Sequence, residues 1–418
     1  MKILIKGAVL DGSEKDIFVN DGIIEEISEN CTRKPNRTIF AKNKAALPSL
    51  INGHTHAAMT LMRGYADDMQ LQAWLEGKIW PLEARLTEED VYWGARLACL
   101  EMVKNGITVF NDMYWHWEAT AKAVCDTGMR GFVSAVFIDM FNEKTGKEQI
   151  ARNIELFEMS GKYLPYVTFI FGPHAVYTVS KSSLEWMRAF SESKDILIHM
   201  HVSETENEVA FSKERYGASP IEFLNSVGLL SPKFIGCHGC FLDEKDCTML
   251  KKAGSNLVNV PVSNLKLSVG RIFPYSLARE MGIPFCFGTD GCASNNHLDI
   301  IETMKFASLL AKFFSHDPTL LPARETFDHA TKEAAGMFRL GEWEIKVGSK
   351  ADIILVDLAR PETTPNFDVY SDVVYASNGY IVDSVICMGK VLMENRRVPD
   401  EEEILRNAKR IARRLIEK

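Results

Sequence analysis

The sequence predicts an α/β protein: a (β/α)₈ TIM barrel with a small β-sandwich domain that is built from both termini. Three observations favour this fold class. Eight short runs rich in β-branched and aromatic residues lie between residues 45 and 291, most are followed by a helical stretch, and strand-like segments occupy both ends of the chain. Short buried strands that alternate with helices are typical of parallel sheets closed into a barrel.

The two ends of the chain have the composition of antiparallel strands. The first 45 residues predict strands in KILIKGAVL, DIFVN and IIEEIS, with turns at Asp11-Gly12 and Asp21-Gly22. After residue 341, the segments KADIILVDL and SVICMGKVLMEN are similar. We therefore expect residues 1–45 and 341–418 to form one β-sandwich domain with a carboxyl-terminal helix, and residues 46–340 to form the barrel.

The central region supplies the eight predicted barrel strands. They are AALPSLING, GITVFNDM, GFVSAVFI, VTFIFGPH, ILIHMHVSE, FIGCHG, NLVNVP and IPFCFGTDG. Stretches such as EEDVYWGARLACLEMVKN and KSSLEWMRAFSES have helical periodicity, as does the basic tail RNAKRIARRLIEK. In a barrel of this kind the active site lies at the carboxyl ends of the strands.

Composition excludes several classes of partner. The chain has 418 residues, 46% of them hydrophobic, and a formal net charge of −8. No Lys/Arg-rich block occurs in the body of the chain, which argues against nucleic acid as a partner. The sequence has no apolar run long enough to span a membrane, its amino terminus meets acidic residues too soon for a secretory signal, and its nine cysteines fit reduced thiols. We expect a cytoplasmic protein whose partner is a small molecule.

Histidines and carboxylates collect at the ends of the predicted strands. A single histidine at a strand end is more often a structural residue than a ligand. Here five of the ten histidines converge with two carboxylates at five of the eight strand ends. The residues are His54, His56, His174, His201, Glu204, His238 and Asp290.

Four of these residues make a plausible metal site. Residues two apart on a strand face the same side, so His54 and His56 point together to the barrel axis. The predicted ligands are His54, His56, His201 and Asp290. Three imidazoles and one carboxylate suit one divalent metal, zinc or ferrous iron, with zinc favoured. Such a metal lowers the pKa of bound water, so we expect hydrolysis in which Asp290 takes the proton of the water, His238 orients the nucleophile and Glu204 passes a proton to the substrate.

Other motifs are ambiguous or incidental. CHGC, residues 237–240, has redox or zinc spacing but lacks a second Cys pair. SNLK, residues 263–266, matches a serine-hydrolase tetrapeptide whose companion motifs are missing. His199 faces the same way as His201 but one layer deeper, where core packing is the expected role. The segment YWHWE fits both a packed helix start and a pocket wall.

Taken together, the motifs resemble the amidohydrolase superfamily. They are NGHTHAAMTLMRG, FGPHAVYTVS, HMHVSET, CHG, SNLKL, GTDGCASNN and VGSKADIILVDL, and they cover nearly the whole chain. The resemblance implies a barrel of the metal-dependent hydrolase type, and the members resembled bind one divalent metal. No lysine ends the fourth run, so a carbamylated lysine and a second metal are not expected.

Within that superfamily the chain is most similar to 5-methylthioadenosine/S-adenosylhomocysteine deaminases. The segment LQAWLEGKIWPLEARLT matches the region from which a tryptophan and a glutamate contact the nucleoside, which implies such roles for Trp74 and Glu83. The glutamate would hold the ribose hydroxyls. His174 matches a substrate-contacting histidine, and Glu204 and Asp290 would contact the edge of the purine ring during attack at C6. The implied reaction replaces the 6-amino group of an adenine nucleoside with oxygen and releases ammonia.

One departure from the family pattern bears on the substrate. Relatives that accept S-adenosylhomocysteine use arginines in and after the third strand, whereas this chain has none between Arg130 and Arg152. Lys144 and Lys147 lack the planar fork with which arginine binds carboxylates. We therefore expect an uncharged 5′-group, as in 5-methylthioadenosine, 5′-deoxyadenosine or adenosine.

Three alternatives were weighed against this function. A hydrolase of guanine, a pterin, cytosine or an s-triazine on the same scaffold is the nearest. A binding protein that lost the chemistry should lack metal ligands, and all four are present. A nucleic-acid deaminase should have H-x-E together with P-C-x-x-C, and this pair of elements is absent because the sequence has no P-C-x-x-C. The oligomeric state is left open, a homo-oligomer included.

Overall fold

The computed structural model describes residues 1–69 and 71–417. Its strands are β1 (Lys2–Leu10), β2 (Ser13–Asn20), β3 (Ile23–Ser28), β4 (Arg37–Phe40), β5 (Lys44–Pro48), β6 (Leu50–Thr55), β7 (Ile107–Tyr114), β8 (Arg130–Phe137), β9 (Val167–Phe169), β10 (Gly172–Pro173), β11 (Ile198–Val202), β12 (Phe234–His238), β13 (Asn256–Asn259), β14 (Phe285–Phe287), β15 (Ile353–Asp357), β16 (Val382–Cys387) and β17 (Lys390–Met393).

The α-helices alternate with the central strands. They are α1 (Leu71–Trp74), α2 (Trp80–Glu83), α3 (Glu88–Lys104), α4 (Trp117–Thr127), α5 (Glu143–Ser160), α6 (Lys181–Lys194), α7 (Glu206–Tyr216), α8 (Pro220–Ser226), α9 (Glu244–Ala253), α10 (Pro261–Lys266), α11 (Tyr275–Met281), α12 (Ile300–Ser315), α13 (Ala323–His329), α14 (Lys332–Met337), α15 (Val369–Ser371) and α16 (Glu401–Ile416). None of the helices described combines the length and apolar character needed to cross a bilayer.

The central strands form two parallel sheets that together make a TIM-barrel-like α/β fold. One sheet has the order β10-β8-β7-β6 with β9 beside β8, and the other has the order β11-β12-β13-β14. Backbone hydrogen bonds join them on both sides: Phe171 N donates to Leu197 O at 2.9 Å, and Asp290 N donates to His54 O at 3.0 Å. The predicted barrel architecture is confirmed at this level.

One layer of apolar side chains fills the space between the strands. Each of the eight strand positions contributes at least one buried residue to a single cluster, as expected for a barrel packed by its own interior. The residues are Ile51, Val109, Phe132, Ile170, Leu197, Ile235, Val258 and Cys286. This layer lies below the strand ends, which leaves the ends free for polar side chains.

The first predicted strand run divides between two sheets. AALPSLING was expected to be one barrel strand, but its first half lies in β5, which pairs with β15, and its second half lies in β6, which pairs with β7. The change occurs at Ser49, whose backbone N donates to Asp352 O at 3.1 Å, while the next backbone N, of Leu50, donates to Gly106 O at 2.9 Å. Apolar composition is the same on both sides of this junction, so the sequence did not reveal it.

Strands from both ends of the chain pair in one sheet. Its order is β17-β16-β15-β5-β1-β2-β3, with β4 beside β1. The turns at Asp11-Gly12 and Asp21-Gly22 have positive φ at both residues, which is the requirement of type I′ hairpin turns. Buried side chains from the two ends, such as Ile5 and Ile353, belong to one apolar cluster.

The carboxyl-terminal helix α16 packs on the barrel side of the molecule. Its buried face, including Ala408, Ile411 and Leu415, joins a cluster with Met59 and Leu86. The amphipathic helix predicted for the tail is therefore present. Part of its basic face pairs with acidic residues at the start of α3, where Arg410 lies 2.5 Å from Glu89 and Arg414 contacts Asp90. Acidic side chains at a helix amino terminus are favoured by the helix dipole.

Candidate active site

The four predicted metal ligands come together at the carboxyl ends of three strands. His54 and His56 lie at the end of β6, His201 lies in β11, and Asp290 follows β14. The Oδ1 atom of Asp290 is 3.4 Å from His54 Nε2 and 3.2 Å from His56 Nε2, and His56 Nε2 is 3.3 Å from His201 Nε2. Ligands at about 2.0 Å from a tetrahedral zinc ion stand about 3.3 Å apart. The observed spacing fits one metal ion.

The rings are oriented so that free nitrogens face the centre of this cluster. His56 and His201 donate their Nδ1–H groups to the backbone carbonyls of Met113 and His174, at 2.7 and 2.8 Å. The His54 Nε2 atom is fully buried and has no hydrogen-bond partner among the described residues. Metal-binding histidines characteristically donate their other N–H to an acceptor of this kind. A buried nitrogen without a partner supports a metal at this point.

A glycine allows β14 to approach the first ligand strand. A Cβ atom on Gly288 would lie 2.7 Å from His54 Cβ and 2.9 Å from His54 N. No side chain fits at that distance, because real Cβ atoms do not approach other atoms so closely. Gly288 thus permits the close contact that carries Asp290, two residues further on, to the ligand cluster.

Hydrogen bonds fix both oxygens of Asp290. Its backbone has a φ of 65°, in the left-handed region that aspartate tolerates better than most residues. Oδ2 accepts hydrogen bonds from Ser263 Oγ at 2.6 Å and from Ser294 Oγ at 2.8 Å, and Oδ1 accepts one from Gly291 N at 2.9 Å. Burial opposes ionisation, but His54 beside it helps to hold the pKa of Asp290 well below its usual value.

Glu204 and His238 lie beside the ligand cluster. The His238 Nδ1–H donates to Asn264 Oδ1 at 2.8 Å, and Glu204 Oε1 is 3.8 Å from the same nitrogen. The backbone N–H groups of Ser203 and Glu204 donate to the buried carboxylate of Glu208 and fix the loop that carries Glu204. Burial raises the pKa of Glu204, which favours the protonated acid that a proton donor requires.

One cavity connects the ligand cluster to the residues expected to contact a nucleoside. It is lined by His56, His201, Glu204, His238 and Asp290, and also by Trp74, Glu83 and His174. Burial lowers the pKa of His174 to about 3, so its ring is neutral. Its Nδ1–H donates to Thr178 Oγ1 at 2.9 Å, because that hydroxyl uses its own proton on Ala175 O. The Nε2 atom of His174 is then an acceptor.

Trp74 and Glu83 reach the same cavity because the helix between them is not a regular α-helix. Residues Leu75–Ile79 form a π-helical turn between α1 and α2. Nine residues span about two and a half turns of an α-helix, which would set the two side chains on opposite faces. The wider turn rotates less per residue and brings both side chains toward the cavity. Single π-turns inside helices are rare and are frequent at functional sites.

The remaining cavity wall is apolar. Trp80, Trp115 and Ile138 line both this cavity and a neighbouring one that extends toward Met140, and no lysine or arginine is among the described lining residues of either. Trp115 of the ambiguous YWHWE segment is thus a wall residue, whereas Trp117 is buried and donates to Val133 O. Lys144 and Lys147 are exposed on α5 and pair with Glu148 and Glu143.

Sequence analysis missed three residues that support the site. SNLK was judged incidental, yet Ser263 donates to Asp290 and Asn264 accepts from His238. His199 was expected to serve only core packing, but its Nε2 lies 3.1 Å from His54 Nδ1. The motif carried a signal for the first two, because it immediately follows the seventh barrel strand. The signal for His199 was its position two residues before His201.

Comparisons with known proteins match most of the chain to one family. The model of the amidohydrolase family matches residues 45–392. The chain is 47% identical over 372 residues to a 5′-deoxyadenosine deaminase of Methanoregula boonei, covering 89% of this chain and 84% of the relative. It is 42% identical over 417 residues to 5-methylthioadenosine/S-adenosylhomocysteine deaminase 1 of Archaeoglobus fulgidus, covering 99% and 97% of the two chains.

Among solved structures, an adenosine deaminase from Xanthomonas campestris with bound zinc is similar over the whole chain. The TM-score is 0.94 at 32% sequence identity, and the match covers 100% of this chain and 98% of the other. The resemblance seen in the sequence motifs is therefore confirmed. The chain belongs to the amidohydrolase family.

Proposed function

We propose that the protein is a metal-dependent aminohydrolase that deaminates an adenine nucleoside at C6. The observation that carries this proposal is the single cavity that joins the ligand cluster to Trp74 and Glu83. Relatives that are 38–47% identical over most of the chain are named for deamination of 5′-deoxyadenosine or of 5-methylthioadenosine and S-adenosylhomocysteine. The product is the corresponding inosine analogue, with release of ammonia.

The ligands for the divalent metal are His54, His56, His201 and Asp290. Zinc is favoured over ferrous iron because the donor set suits it and because the related adenosine deaminase of Xanthomonas campestris contains zinc. When bound, the metal lowers the pKa of water to about 7 and so provides a nucleophile at neutral pH.

Three side chains of the protein then handle the nucleophile and the protons. His238, with its Nδ1–H held by Asn264, directs its other ring nitrogen toward the attacking oxygen. Asp290 accepts a proton from the water, and Glu204, whose pKa is raised by burial in the direction that favours the acid, donates a proton to the ring nitrogen beside C6. The proton held by Asp290 passes to the amino group, the C6–N bond breaks, and ammonia leaves. As the C6 carbonyl forms, the hydroxyl proton on C6 returns to Glu204, which restores the acid.

Trp74, Glu83 and His174 are assigned to nucleoside binding. The indole packs against the nucleoside, the carboxylate accepts hydrogen bonds from the ribose hydroxyls, and the neutral imidazole of His174 offers an acceptor. Because the neighbouring wall is apolar and Lys144 and Lys147 lie on exposed α5, the 5′-group is uncharged in the preferred substrate. 5-Methylthioadenosine, 5′-deoxyadenosine and adenosine fit this wall better than S-adenosylhomocysteine.

Ammonia release by the zinc-loaded protein tests the function. The substrates are 5-methylthioadenosine, 5′-deoxyadenosine, adenosine, S-adenosylhomocysteine, guanine and cytosine. Turnover of the nucleosides with weak activity on S-adenosylhomocysteine is expected. Turnover of guanine or cytosine, without turnover of any nucleoside, would instead favour a hydrolase that acts on another heterocycle. Glu204→Gln should abolish turnover without loss of zinc, and full activity in that variant would refute its role as proton donor.

We also propose that the chain consists of two domains. Residues 46–340 form the barrel, and residues 1–45 with 341–418 form a small β-sandwich. The shared sheet and the apolar cluster that contains Ile5 and Ile353 support this division. The role of the small domain is structural, because the described cavity residues of the site all belong to the barrel.

A further inference from the structure

A polar cluster lies beneath the ligand site, one layer deeper in the barrel. It consists of His54, His199 and Cys237, whose side chains are fully buried. His54 Nδ1 is 3.1 Å from His199 Nε2, and the same His199 nitrogen is 2.6 Å from Cys237 Sγ. The chemistry proposed above does not use these contacts, although one of the three residues, His54, is a metal ligand.

The tautomer of His54, meaning which ring nitrogen carries the N–H, depends on this cluster. A neutral imidazole has one N–H, and a nitrogen that binds a metal must present its lone pair. His54 directs Nε2 toward Asp290, where it has no hydrogen-bond partner among the described residues. The proton must therefore reside on Nδ1. In the described part of the chain, the acceptor available to that N–H is His199 Nε2.

We propose that His199 is a positioning residue for the metal site. Its Nε2 accepts the hydrogen bond from His54 Nδ1, which selects the tautomer of His54 and fixes the plane of its ring. His56 and His201 obtain the same support from backbone carbonyls. His54 is thus the histidine ligand whose support comes from a replaceable side chain. This inference rests on the proposed metal site.

The same three residues could instead be considered a second metal site, since their donor atoms lie close together. The distances argue against it. A nitrogen at about 2.0 Å and a thiolate sulfur at about 2.3 Å from a tetrahedral zinc ion stand about 3.5 Å apart. The separation of His199 Nε2 and Cys237 Sγ is 2.6 Å, which leaves no space for an ion between them.

The test is the zinc affinity of full-length variants, measured by competition with a chelator. His199→Leu has a similar volume but no acceptor, and His199→Asn is polar but too short to reach His54. His199→Gln places an amide oxygen near the position of Nε2. Loss of a hydrogen-bond partner behind a ligand typically weakens metal affinity by about 10- to 100-fold. We expect that loss in the Leu and Asn variants, and affinity within about threefold of the parent in the Gln variant, which keeps an acceptor.

Two controls separate this role from simple packing. Cys237→Ser should retain zinc affinity, because it leaves the bond between His54 and His199 intact. Thermal unfolding of the metal-free variants measures the packing contribution alone. If Gln and Asn weaken zinc binding equally, or if none of the His199 variants weakens it, the positioning role is refuted.

Metal counting distinguishes the remaining outcomes. We expect one ion per chain, and in the cobalt-substituted protein no thiolate-to-metal band that depends on Cys237. Two ions per chain, with such a band lost in Cys237→Ser, would overturn the inference in favour of a second metal site. A parent protein that binds no zinc would refute the proposed function itself, whereas zinc binding that is insensitive to His199 would refute only the inference.

Discussion

Glu83→Gln tests whether the cavity was built for a nucleoside rather than for a free base. Burial raises the pKa of Glu83, while the Tyr114 hydroxyl and the Trp115 indole N–H beside it favour the ionised carboxylate. Hydrogen bonds to a charged group contribute about 1.5–3 kcal/mol. At 1.36 kcal/mol per tenfold change in rate, kcat/KM for adenosine should fall about 10- to 150-fold.

The assay compares adenosine with 2′,3′-dideoxyadenosine in the zinc-loaded parent and variant. The dideoxy compound lacks the hydroxyls, so Glu83→Gln should change its kcat/KM by less than about threefold, within the scatter of surface substitutions. Glu280→Gln, which alters an exposed carboxylate on α11 outside the described lining of the cavity, is the matched control. An equal loss with both substrates would refute ribose recognition by Glu83 and assign the loss to misplacement of the helix.

Three further predictions concern the support of the site and the fold. Ser263→Ala removes a donor from Asp290, so kcat should fall about tenfold with zinc content unchanged, whereas loss of zinc would indicate a purely structural role. Lys266→Met breaks the pair with Asp67 that anchors the chain before α1, and should raise KM up to about fivefold with kcat retained. Burial lowers the pKa of His329 from 6.5 to about 4. The neutral ring therefore contributes fully to the free energy of unfolding above pH 6.5, and this contribution, up to about 3 kcal/mol, is lost as the pH falls from 6.5 toward 4. His329→Asn, which keeps a donor to Phe285 O, should therefore flatten the fall of the unfolding midpoint between about pH 7 and pH 5, and an unchanged slope would contradict the assignment.

The barrel was predictable because parallel strands covered on both faces have nearly continuous apolar sequences. The runs that include Phe110, Ile235 and Val258 are of this kind, and each is a strand in the structure. The boundary between β5 and β6 was not predictable, because it depends on the hydrogen bond that Ser49 makes with Asp352, about 300 residues away. A change of partner strand leaves no mark in local composition.

The ligand set was predictable for a similar reason. His54 and His56 occupy alternate positions of one strand, and the ends of barrel strands converge, so sequence position alone indicated that they meet. Ser263 and Asn264 were not assigned because their roles depend on how the short helix α10, which follows β13, is placed beside Asp290 and His238. Trp74 and Glu83 reach the same cavity because of a π-helical turn, and helical periodicity in the sequence does not predict such a turn.

Among the three histidine ligands, His54 is the one whose Nδ1 atom faces a side chain rather than a backbone carbonyl. Met113 follows the last β7 residue that pairs with β6, and its carbonyl accepts the ring N–H of His56. His174 follows β10, and its carbonyl accepts both the ring N–H of His201 and the backbone N–H of His201, the latter at 3.1 Å. His54 lies one step deeper in the barrel, where its Nδ1 atom is 3.1 Å from His199 Nε2. The acceptor for its N–H at that depth is therefore a side chain that points into the barrel, and His199 holds that position.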